Sequence, residues 1–158
     1  VQEAGLAELG VMTAQQKLLC AFYGVIALAA LGATWSQNLQ LMAPGMGPLD
    51  PFSVFVEQTR VNAASRSITV DIAFFLLAAT AFMVIEARRL GVRFVWLYVL
   101  LSFLIAVSVT FPLFMIAREM RIAAAPDTPA KWLLTATDVI GLALVSGAVI
   151  GLSVVVLG

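Results

Sequence analysis

Apolar residues run all the way round four stretches of this chain, and polar residues collect between them. Val70–Ala87 reads VDIAFFLLAATAFMVIEA and Phe94–Ala117 reads FVWLYVLLSFLIAVSVTFPLFMIA. A soluble amphipathic helix keeps one polar face, and these segments have none. About twenty such residues, at ~1.5 Å each, cross the ~30 Å hydrocarbon layer of a bilayer. The pattern predicts spans at about 14–36, 68–88, 93–118 and 130–156. The expected fold is all-α: an integral membrane four-helix bundle, one transmembrane domain over 1–158.

Local signals place the ends of these elements. Thr13 with Gln16 three residues on fits a capping box for the first span, and Ser65 or Ser67 suits the cap of the second. Lys17, Trp35, Lys131 and Trp132 sit where snorkelling lysines and interfacial tryptophans anchor a helix. Asp50 before Pro51 opens a short segment with Phe52, Phe55 and Val56 on one side, read as an interfacial helix over about 51–61 between the first and second spans. The second and third spans are joined by EARRLGVR, where Arg88, Arg89 and Arg93 crowd a turn and Gly91 offers a helix-ending backbone. Two spans joined so closely should lie antiparallel and touching. Pro112 within the third span should free the carbonyl of Ser108 and kink the helix.

Composition confirms the class and removes chemistries. The 158 residues are 62% hydrophobic and 11% charged, about half the charge of a soluble domain. Nine basic and nine acidic residues balance, so no electrostatic footprint for nucleic acid exists. There is no histidine and one cysteine, Cys20. Imidazole-held haem or zinc and a cysteine-ligated iron–sulfur cluster are therefore excluded, and no cofactor is expected. Residues 1–12 carry no positive charge, so they do not read as a signal peptide.

Four alternating spans would bring Trp35, Asn38, Asn62, Arg66, Asp71, Arg118 and Asp138 to one side, as a ligand-binding cluster. Asp71 and Asp138 are the candidate catalytic acids, each weighed against a structural ion pair, with Asp138 seven residues past Lys131 and so about 10 Å into the span. Glu86 reads as the local partner of Arg89 three residues on. Ala143, Gly147 and Gly151 recur every fourth residue, a close-packing face for a helix inside the bundle or for self-association. Basic residues divide almost evenly, with Lys17, Arg88, Arg89 and Arg93 on one side against Arg60, Arg66, Arg118, Arg121 and Lys131. The dense arginine turn tips the reading towards both termini in the cytoplasm.

The series Asn62, Ser65, Ser67, Asp71, the stretch EARRLGVR and the stretch FPLFMIARE with Pro112, Phe114, Arg118 and Glu119 resemble a family of small bacterial multi-span membrane proteins of unknown function. The resemblance covers about Leu18–Arg121, so the last span with Asp138 looks like an addition to the family pattern. It implies a bacterial inner-membrane location and transfers no reaction. The expected role is a non-catalytic accessory or scaffold subunit, in contact with membrane lipids and other membrane subunits. The alternatives are a small enzyme acting on a lipid or isoprenoid through buried carboxylates, or a binder of a lipophilic cofactor.

Overall fold

A computed structural model describes residues 12–42, 45–47, 50–124 and 133–158. The expected anchors Lys131 and Trp132 lie outside them. Among the described residues every regular element is helical: α1 (Ala14–Asn38), a 3₁₀ turn (Leu39–Leu41), α2 (Asp50–Thr59), α3 (Ala63–Leu90), α4 (Val95–Leu104), α5 (Val107–Ala124) and α6 (Ala136–Leu157). Three of these helices, α1, α3 and α6, are long and apolar enough to cross a membrane.

Several ends follow the local chemistry. Thr13 and Gln16 form the reciprocal capping box of α1. Gly91 ends α3 in the left-handed conformation, at φ 69°. The cap of α3 is Asn62, ahead of Ser65 and Ser67, because its Oδ1 accepts from the Ser65 N–H at 2.9 Å. Asp50 is the first residue of α2, and its carboxylate accepts from the Gly47 N–H at 2.6 Å. The last helix starts at Ala136, later than the expected 130, because Thr135 and Asp138 cap it reciprocally. Asp138 therefore lies in the first turn of α6 rather than deep in a span.

The expected third span, 93–118, is not one helix. It is two, α4 and α5, which fold back on each other at Ile105–Ala106. Three rungs fix the reversal. The Ser102 and Thr110 hydroxyls are 2.5 Å apart. Tyr98 and Phe114 meet edge to face at 5.6 Å between ring centroids. The Arg121 Nε–H donates to the Leu90 carbonyl at 3.3 Å. The Ala106 carbonyl closes the bend by accepting from the N–H groups of Val109 and Thr110, both at 3.1 Å. Pro112 sits buried inside α5, past the reversal, and does not cause it.

Val107 and Phe111 pack on Leu76 and Ala79 near the middle of α3. The hairpin thus enters beside the C-terminal half of α3 and returns, with its bend about 21 Å from Leu90. Helix α5 runs parallel to α3, since Arg118 meets Glu86 as Phe111 meets Phe82. Helix α1 packs along α5 with Cys20, near its start, in electrostatic range of Glu119. Helix α6 runs antiparallel to α3, with Asp138 at Arg88 and Leu157 beside Arg66. The core is Met83, Val84, Val99, Phe114 and Val149, where α3, α4, α5 and α6 meet. Among the described residues, three helices of spanning length stand where four were expected. The starts of α1 and α6 lie at the arginine end of the bundle and Leu157 at the other.

Candidate functional site

The arginine end gathers ionic groups from α3, α5 and α6. Asp138 has no exposed surface, and it receives the Arg88 guanidinium in a fork: Nε–H to Oδ2 at 2.7 Å and Nη2–H to Oδ1 at 2.6 Å. The Trp96 indole N–H donates to Oδ1 at 3.2 Å, and the Thr135 N–H and hydroxyl donate to Oδ2 at 2.9 and 2.8 Å. Every acceptor direction of this carboxylate is used, as a buried charge requires.

The second group centres on Glu86. It takes the Arg89 Nε–H at 2.6 Å, a further bond from Arg89 Nη2, and the Arg118 Nε–H at 2.7 Å. Arg118 also donates through Nη1 to Glu119 at 2.5 Å. Three carboxylates face three guanidiniums, so the cluster is neutral and fully paired. Trp96 ties it to packing. Its ring lies so close to Gly141 that a methyl group there would come within 2.1 Å of the indole.

The structure splits the expected ligand-binding set. Arg118 and Asp138 join the cluster. Trp35, Asn38, Asn62, Arg66 and Asp71 lie towards the opposite end of the bundle. Asp71 and Glu86 are fifteen residues apart on one helix, about 22 Å. The folded-back hairpin is the reason, because it returns Arg118 to the end from which Phe94 departs. Asn62 serves as a cap, and Arg66 Nη1 donates to the Arg60 carbonyl at 3.0 Å. The Trp35 indole N–H is buried without a hydrogen-bond partner. Asp71 is exposed and has no ion pair or side-chain hydrogen bond among the described residues.

Sequence reasoning missed Arg88, Trp96 and Gly141 and gave Glu86 one partner where it has two. A usable signal was the near-tie of basic residues. With the hairpin folded back, Lys17, Arg88, Arg89, Arg93, Arg118 and Arg121 share one end, and Arg60 and Arg66 alone among the described residues hold the other. No group of three or more possible metal ligands occurs among the described residues. With every acid of the cluster in an ion pair with a guanidinium, the arrangement clamps α3, α5 and α6 together.

The family model for the protein of unknown function DUF2834 matches residues 22–120. Helix α6 and the first two turns of α1 lie outside that stretch. No curated protein and no solved structure matches the chain.

Proposed function

We propose a role for this chain, which belongs to the DUF2834 family of proteins of unknown function, as a non-catalytic accessory or scaffold subunit of a bacterial membrane complex. The observation that carries this reading is the outward turn of the small-residue stripe on α6. Val145, Val149, Ser153 and Val156 face inward, while Ala143, Gly147 and Gly151 are exposed. A methyl group added at Gly147 or Gly151 would meet nothing within 4 Å. Such a stripe on an apolar helix lets another helix approach backbone to backbone, and lipid tails gain nothing from it. Asp71 adds support. A short exposed carboxylate two turns into a spanning helix is costly in lipid and favours a polar partner from another chain.

The arginine end faces the cytoplasm in this reading, following the excess of basic residues that short cytoplasmic loops carry. The enzyme alternative keeps one acid, because Asp138 is held by Arg88, Trp96 and Thr135. Asp71 would have to act without an ion pair or side-chain hydrogen bond from the described residues to orient it.

Extraction of the tagged full chain from its native membrane in mild detergent tests the role. A stoichiometric membrane partner, or a second copy, should co-purify and be lost on Gly147→Leu/Gly151→Leu substitution. The open space at both positions leaves the monomer fold intact. A lone monomer from the native membrane, or a complex indifferent to both substitutions, would contradict the proposal.

A further inference from the structure

The end of the bundle opposite the cluster holds a cavity of about 440 Å³, lined by Glu57, Arg60, Arg66, Val156, Leu157 and Gly158. It lies where the turn between α2 and α3 meets the last turn of α6. Its position is interfacial, since Arg66 is in the first turn of α3 and the apolar run begins at Ile68. We infer that this cavity is a binding site for a phosphate-bearing anion, held by the guanidinium groups of Arg60 and Arg66.

Three features agree on that chemistry. The arginines of the cluster, Arg88, Arg89 and Arg118, are each paired with a carboxylate, whereas Arg60 and Arg66 have no ion pair among the described residues. Arg66 is oriented in advance: its Nη1 donates to the Arg60 carbonyl, which leaves the other N–H groups of its fork for a ligand. A planar guanidinium recognises phosphate oxygens in pairs, and two of them outnumber the one acidic side chain on the wall, Glu57. These two are also the described basic residues that stand against the charge bias of the molecule, at the end where arginine is otherwise missing.

Leu157, 61% exposed, gives the mouth an apolar edge beside the arginines, while the Val156 side chain is buried. A charged head beside an apolar edge matches the headgroup and first acyl carbons of an anionic phospholipid. Inorganic phosphate would use the arginines alone.

The full chain, purified in dodecyl maltoside, can be titrated in three arms: phosphatidylglycerol, phosphatidylcholine of the same acyl chains, and sodium phosphate at matched ionic strength. Bound species are counted by native mass spectrometry. Phosphatidylglycerol should bind at least tenfold more tightly than phosphatidylcholine, and Arg60→Gln/Arg66→Gln should weaken it about a hundredfold, about tenfold for each of the two lost charge-assisted contacts. Arg66→Lys should keep most of the affinity, and Glu57→Gln should raise it. Arg60→Gln alone serves if the double variant unfolds, because Arg60 bonds within the fold through its main chain. Saturation by sodium phosphate with no further gain from lipid assigns the site to the free anion. Phosphatidylglycerol binding within twofold of wild type in folded Arg60→Gln, together with no binding of phosphate, overturns the inference.

Discussion

Arg88 and Asp138 are fifty residues apart in the chain and meet in a two-bond fork at 2.7 and 2.6 Å. Arg88 lies within the stretch that the family model matches and Asp138 in the helix beyond it, so the pair fastens α6 to that stretch. A buried pair of this kind contributes modestly against two well-packed apolar residues, but losing one partner leaves a bare charge.

Removing either partner alone should therefore destabilise the protein by about 3–5 kcal/mol, while Arg88→Met/Asp138→Leu should cost clearly less than the sum of the single changes. Denaturant titration of the purified chain in detergent micelles, followed by tryptophan fluorescence, measures the four corners of the cycle. Additive costs would mean that the fork is a bystander.

Gly141 is glycine because Trp96 occupies the space of its side chain. A methyl group there would come within 2.1 Å of the indole. Gly141→Ala should destabilise by about 1–3 kcal/mol as an overpacked contact, and Trp96→Leu should recover much of that loss in the double variant. The same titration reads both. Trp96→Phe keeps most of the ring but loses the N–H to Asp138, so a smaller loss of about 1–2 kcal/mol is expected.

Ser102 and Thr110 face each other across the two arms of the hairpin, and each hydroxyl also reaches the carbonyl four residues back in its own arm. Replacing one leaves the other short of a partner in a buried site. Thr110→Val or Ser102→Ala should each cost about 1 kcal/mol, and the double variant should cost less than twice that. Thermal unfolding of the three variants beside the wild type decides it.

Much of the fold was legible in the sequence. Thr13, Gln16 and Gly91 act locally, through caps and a left-handed residue, and local chemistry is what a sequence carries most directly. The helical reversal at Ile105–Ala106 was not legible, because neither glycine nor proline marks it. The turn is held by contacts between arms, Ser102 with Thr110 and Tyr98 with Phe114, that exist only after folding. A long apolar run reads equally well as one crossing or as two half-length arms. The fold-back also decides the site, because it returns Arg118 to the end that holds Arg88 and Asp138. The start of α6 depends on the reciprocal cap between Thr135 and Asp138, and Asp138 is held in place by Arg88, a contact from another helix. The outward face of Gly147 and Gly151 depended on which side of α6 meets α3, and a stripe of small residues does not say that.

The hairpin is the claim on which the rest stands, and the sidedness of its two ends tests it most directly. Single cysteines are placed at Arg93 and Arg121, with Val61 as the opposite-end reference, in a chain whose Cys20 is replaced by alanine. A membrane-impermeant maleimide is then applied to sealed vesicles of known orientation. Positions 93 and 121 should label from one side and position 61 from the other. Labelling of 93 and 121 from opposite sides would make the segment a full crossing and contradict the account.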